Sequence, residues 1–223
     1  MALPIFASRG DDPDALRRGV RLANQLTMVV NVPAMVGLIV LAEPIILVLF
    51  GEQWRPAAPL LSILAVAGIL YPLHIINLQL LLALGDSGRF LRLEVAKKLV
   101  GVVFVAVGSW FGMRGLAWAQ ALFSLVALLI NARPTAQSLG YGMLRQLGDL
   151  LGIFAAAGAM AAVLLLLAPL FGLGPAATLA VMVPAGVAVY VASGLLMNVS
   201  AFREARQIVG AALIARTAGA PGA

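Results

Sequence analysis

Cysteine is absent from the 223 residues, and histidine occurs once. Disulfides, thiolate metal sites and cysteine nucleophiles are thereby excluded, and one histidine cannot build a His-rich metal site. Charge is scarce as well. Only 11% of residues are Asp, Glu, Lys or Arg, against about a quarter in a soluble domain. Disorder is excluded by the opposite excess, because 62% of the chain is hydrophobic and the mean hydropathy is +1.04. A water-soluble core of this length could not hide so much apolar surface. Nucleic-acid binding requires a dense basic face, whereas the net charge of +6 comes from separated clusters. No phosphate-binding loop, Gly-x-Ser-x-Gly or His-Glu-x-x-His is present. No cofactor is implied. The opening MALPIFASRG has no basic residue ahead of its short apolar stretch, so it does not read as a signal peptide.

What is present is long apolar runs. A bilayer core about 30 Å thick needs roughly 20 apolar residues of helix. Six segments qualify as predicted spans: 20–42 (or on to 50), 57–84, 90–111, 115–132, 150–171 and 175–197. They show no period of two, so they read as helices rather than barrel strands. The breaks are turn-like: GEQWRP from Gly51 to Pro56, GDSG from Gly85 to Gly88, GMRG from Gly112 to Gly115, and GLGP from Gly172 to Pro175. A longer polar connector joins Asn131 to Gly148. Asp12 followed by Pro13 reads as a helix cap and first-turn proline. The predicted fold is an all-α polytopic membrane helix bundle.

The cations predict its orientation. With the N-terminus inside and sides alternating, the inner segments hold Arg9, Arg17, Arg18 and Arg21, then Arg89, Arg92, Lys97 and Lys98, then Arg133 and Arg145, then Arg203, Arg206 and Arg216. The outer segments hold Arg55 and Arg114. Thirteen against two predicts both termini in the cytoplasm. Trp54, Trp110 and Trp118 fall near outer span ends, as an aromatic belt would.

Three stretches carry a resemblance: LPIFASRGDDPDALRRG, then VPAMVGLIVLAEPIILVLFGEQWRPAAPLLSILAVAGIL, then LLLALGDSGRFLRLE. The middle one is the most specific, with a membrane proline, Glu43-Pro44, a Gly-x-x-Trp turn and Pro59 opening the next helix. From Leu3 to about Arg145 the chain resembles the C-terminal half of the polysaccharide-biosynthesis (Wzx-type, O-antigen) oligosaccharide-lipid flippases. That family shares a superfamily with multidrug MATE exporters and the lipid II flippase. The resemblance implies two six-helix lobes facing a central cavity, often with an added helix pair. Residues 1–140 would then be four spans of the C-terminal lobe, 141–198 the extra pair, and 199–223 a cytoplasmic amphipathic helix and disordered tail. Phe202, Ile208, Val209 and Leu213 would dip into the membrane from that helix. The other lobe would come from the same longer chain or a separate subunit. The implied task is flipping undecaprenyl-pyrophosphate-linked repeat units across the bacterial inner membrane, with no covalent chemistry. The implied partners are the lipid-linked oligosaccharide, the bilayer and the missing lobe.

Candidate substrate residues follow from polar groups inside the spans. Asn24, Thr27 and Asn31 share one helical face. They read either as a cavity wall for sugar hydroxyls or as interhelical hydrogen bonds. Pro33 should kink that helix. Tyr71, His74 and Asn77 form a second stripe beside Pro72, and His74 has the chemistry to exchange a proton. Arg89, Arg92, Glu94, Lys97 and Lys98 open the third span. Glu94 can pair with Lys97 or Lys98, and a lysine this deep must snorkel or line water. Capture of a pyrophosphate headgroup is the functional reading. Gln120 and Ser124 extend the wall from the fourth span. Glu43 and Glu52 read as boundary residues rather than metal ligands. Two other classes remain open: a small-solute or drug exporter on the same scaffold, and a membrane glycosyltransferase or polymerase subunit using Asp12-Pro13-Asp14 as an Asp-x-Asp motif.

Overall fold

The computed structural model describes residues 12–199 and 201–204. Among them the chain is built of α-helices and one 3-10 turn. The helices are α1 (Pro13–Val40), α2 (Ala42–Phe50), α3 (Ala58–Ile69), α4 (Tyr71–Ala83), α5 (Ser87–Ser109), α6 (Gly112–Leu139), α7 (Met143–Gly148), α8 (Leu151–Phe171) and α9 (Pro175–Leu196), with the 3-10 turn at Glu52–Ala57. Asp12 caps α1 by accepting from the backbone of Asp14 (2.9 Å) and Ala15 (3.1 Å), which starts the helix before its apolar run. Pro175 opens α9. Gly140, at φ +62°, closes α6 in the left-handed conformation that glycine favours.

Among the described residues five stretches are long and apolar enough to cross a membrane: Pro13–Val40, Glu52–Ala83, Gly112–Leu139, Leu151–Pro169 and Pro175–Leu196. Six were expected. The exception is α5, whose 23 residues are long enough but whose first half carries five charged side chains. It nevertheless lies along α6 as an antiparallel hairpin. A Cβ on Gly115 would stand 2.5 Å from the Gly108 carbonyl, and one on Gly108 would stand 2.7 Å from the Ala119 methyl. Small residues allow this close approach. Farther along, the Phe104 and Phe123 rings meet at a 55° tilt with centroids 5.8 Å apart, and Arg89 hydrogen-bonds Gln137.

Prolines interrupt the spans, and neighbouring side chains repair the interruptions, as apolar surroundings demand. Pro33 lies inside α1 and cannot donate to the Val29 carbonyl. Tyr190 Oη on α9 donates there instead (2.8 Å). Pro72 cannot donate to Gly68, and the Leu73 N–H turns to Leu70. Asn31 Nδ2 donates to the two carbonyls left behind, Gly68 (3.2 Å) and Ile69 (3.0 Å).

One apolar core runs through the bundle. Met28 and Val32 of α1, Leu73 of α4 and Leu128 of α6 belong to the same cluster as Ile153, Met160 and Leu164 of α8 and Met182 of α9. The last helix pair is therefore continuous with the preceding helices. Within it Gly152 abuts Val199, whereas Gly148 faces open space. Phe202, expected to enter the membrane, is buried instead against Tyr190 and Gly194. Ile208, Val209, Leu213 and the rest of the expected tail lie outside the described residues, as do Arg9, Arg206, Arg216 and Leu3 to Ser8.

Candidate functional site

Helix α5 leans on α6 and leaves a cavity of about 700 Å³ between itself and the broken α3–α4 span. Tyr71 and His74 enter it from α4, Glu94, Lys97 and Lys98 from α5, and Gln120, Ser124 and Asn131 from α6. The pairing of α5 with α6 sets Lys97 level with the Ala127–Leu128 turn, near the middle of α6. Lys97 is 9% exposed and ion-paired with Glu94. Lys98 is exposed and forms no salt bridge with any described residue. Charges at this depth are costly in lipid, about 2.5–3.5 kcal/mol each on insertion scales, and face protein or water.

The cavity floor is a directed chain of hydrogen bonds. An amide nitrogen can only donate, so Asn131 Nδ2 donates to His74 Nδ1 (3.4 Å). His74 Nε2 then carries the proton and donates to Ser124 Oγ (3.2 Å), which donates to the Ala67 carbonyl (3.1 Å). His74 is thus fixed in one tautomer by α6. Ser124 was expected on the cavity wall, whereas Asn131 was not singled out from the sequence.

Asn77 points elsewhere, into a buried knot. Its amide exchanges hydrogen bonds with the Gln146 amide (both 2.9 Å) and accepts from Thr135 Oγ1 (2.6 Å). Gln146 also donates to the Tyr141 carbonyl (3.0 Å). Tyr141 Oη donates to Asp149 (2.9 Å), which holds Arg21 (2.8 Å). Burial, then the Asp149 hydrogen bond, pushes the Tyr141 phenol well above its usual range. Polar residues in the connector between α6 and α8 gave no periodic signal, so Gln146, Tyr141 and Asp149 escaped sequence reasoning.

The α1 stripe does not reach the cavity. Asn24 is fully buried beside Tyr141 without a hydrogen bond of ordinary geometry. Thr27 bonds back to the Ala23 carbonyl (2.8 Å), and Asn31 serves the α3–α4 break. Arg89 and Arg92 also lie off the cavity, on Gln137 and the Gly88 carbonyl (3.4 Å). Arg55 bridges Glu43 (3.1 Å) and Glu52 (2.8 Å) across the 3-10 turn. Asp12 is occupied as a cap; the Ala15 backbone N–H, with lesser help from Asp14 and Arg18, holds its carboxyl below the usual range. Among the described residues no three His, Asp or Glu side chains assemble into a metal site.

Spanning apolar helices repaired at their prolines, around a membrane-depth polar cavity, define a multi-pass α-helical membrane protein. Residues 1–59 match the family model described as polysaccharide biosynthesis protein. The chain is 32% identical over 139 residues to the teichuronic acid biosynthesis protein TuaB of Bacillus subtilis, covering 59% of this chain and 27% of that one. It is 44% identical over 70 residues to the succinoglycan biosynthesis transport protein ExoT of Rhizobium meliloti, covering 31% and 14%. It is 26% identical over 140 residues to the lipopolysaccharide biosynthesis protein WzxC of Escherichia coli, covering 60% and 28%. The chain is thus similar to polysaccharide biosynthesis proteins over part of its length, and it spans between about one-seventh and just over a quarter of these relatives' lengths. No solved structure gives a significant match.

Proposed function

We propose that this chain forms part of a flippase that carries a polyprenyl-pyrophosphate-linked oligosaccharide across the bacterial inner membrane, with both termini cytoplasmic. The observation that carries this reading is the cavity at membrane depth, lined by Lys97 and Lys98 together with hydroxyl, amide and imidazole groups. Cations suit a pyrophosphate, and the uncharged groups suit sugar hydroxyls. The basic residues Arg17, Arg18, Arg21, Arg89, Arg92, Arg133 and Arg145 gather toward the chain-entry end of the bundle, while Arg55 and Arg114 lie at the other, which supports the orientation. Residues 1–140 would act as part of one lobe and 141–198 as an added pair. A partner lobe would close the cavity and alternate its access. The work is shielding and movement, so no covalent step is required and the chain is not an enzyme.

An exporter of cationic solutes is disfavoured by the same cavity, where Glu94 is the sole acid in the lining and is engaged by Lys97. The test is complementation of a flippase-deficient strain by the full-length gene carrying Lys97→Gln and Lys98→Gln together. The expected result is loss of surface polysaccharide with lipid-linked repeat units accumulating in the inner leaflet. Undiminished polysaccharide from a normally expressed double variant would overturn the reading.

A further inference from the structure

A second cavity, of about 480 Å³, opens at the chain-entry end of the bundle and is separate from the first. Its wall brings Arg17, Arg18 and Arg21 of α1 against Arg145 of α7, with Tyr141 and Asp149 at its edge. We infer that this pocket binds the phosphate of an anionic lipid headgroup in the bilayer leaflet at that end, independently of any transported glycan.

Three observations carry the inference. The first is convergence: guanidinium groups from two elements more than a hundred residues apart share one concavity, which orientation by charge alone does not require. The second is how weakly those groups are neutralised. Arg17 meets Asp14 at 3.3 Å and Arg18 meets Asp12 at 3.7 Å, and all four side chains are about half exposed or more. Exposed pairs of this kind contribute little, and a phosphate offers guanidinium two parallel charge-assisted hydrogen bonds in their place. Arg145 has no carboxylate partner among the described residues; its Nη1 donates to the Gly140 carbonyl (2.6 Å), which aims the group. Arg21 is already committed to Asp149 and serves as wall. The third observation chooses a lipid over a free ion. Leu144, beside Arg145, is 85% exposed, and Leu151 at the start of α8 is 66% exposed. On a bundle whose helices are apolar enough to cross a membrane, exposed leucines flanking the pocket suit contact with acyl chains, which would place the pocket where acyl chains meet water. Basic pockets at that level recognise anionic headgroups.

Native mass spectrometry of the full chain in mild detergent tests this, with titration by phosphatidylglycerol, by phosphatidylcholine and by inorganic phosphate. Phosphatidylglycerol should be retained over phosphatidylcholine, and each guanidinium removed should cost roughly fivefold. The Arg18→Gln/Arg145→Gln variant should lose most of the preference. Arg145→Lys should keep part of it, and Arg114→Gln, at the opposite end, all of it. The wild-type preference should also weaken as salt is raised, a readout that needs no variant. Equal retention of the two lipids, a preference insensitive to salt, or full preference in a folded double variant would refute the proposal. Complete displacement of phosphatidylglycerol by millimolar inorganic phosphate would assign the pocket to a soluble anion and overturn the choice of lipid.

Discussion

At the scale of single residues, the bundle is governed by who satisfies a buried polar group. Asn77 binds Gln146 and Thr135 at once, so Asn77→Ala should strand both partners. The expected loss is about 1–3 kcal/mol, read as a lower midpoint of thermal unfolding in detergent. Tyr141 offers a pH test. Its folded value is raised, so its contribution is complete below the ordinary tyrosine value of about 10 and is lost as pH climbs past it. Tyr141→Phe should lower stability at neutral pH by removing the Asp149 hydrogen bond, yet should decline less than wild type as pH rises above about 10. An identical alkaline decline in both proteins would contradict this. The candidate residues illustrate what sequence can convey. Lys97, Lys98, His74 and Gln120 were legible because a polar group inside an apolar run has few places to go. Asn24, Thr27 and Asn31 shared a face on paper, but whether a stripe meets a cavity or a neighbouring helix depends on packing partners that spacing along one helix does not contain.

At the scale of elements, prolines and glycines set the geometry. Tyr190→Phe removes the donor that replaces the amide missing at Pro33, leaving the Val29 carbonyl unpaired. A loss of about 1–3 kcal/mol is expected, with α9 loosened from α1 and its amides exchanging faster. Gly115→Leu should separate α5 from α6, because its side chain would collide with the Gly108 backbone. Overpacking of this kind costs about 1–3 kcal/mol, whereas Gly88→Leu meets nothing within 4 Å and should be tolerated in the same melting assay. Helix existence and most boundaries were legible from apolar run length and turn residues. The expected span at 90–111 forms helix α5 but is not among the apolar stretches. Read as a span from the sequence, it carries too many charges to count among the apolar stretches, and its hairpin with α6 sets Lys97 beside the middle of that helix while Arg89 stays near its end.

At the scale of the whole molecule, most arginines of the described residues lie at one end, tryptophans with Arg55 and Arg114 near the other, and a polar cavity between them. Trp54, Trp110 and Trp118 are all more than half exposed, as residues facing the lipid interface would be. Ser87→Cys, at the first residue of α5, should react with a thiol reagent applied from the cytoplasmic side only. The central claim is that the α5-lined cavity is wet inside an otherwise lipid-coated bundle. It is tested most directly by the rate at which a charged, membrane-impermeant thiol reagent labels single cysteines. This chain has no native cysteine, so an introduced one reports alone. Gln120→Cys, in the cavity, should label readily and be protected by lipid-linked oligosaccharide, whereas Leu166→Cys, 70% exposed on α8, should stay unreactive. An unreactive Gln120→Cys beside a freely reactive Leu166→Cys would contradict the account.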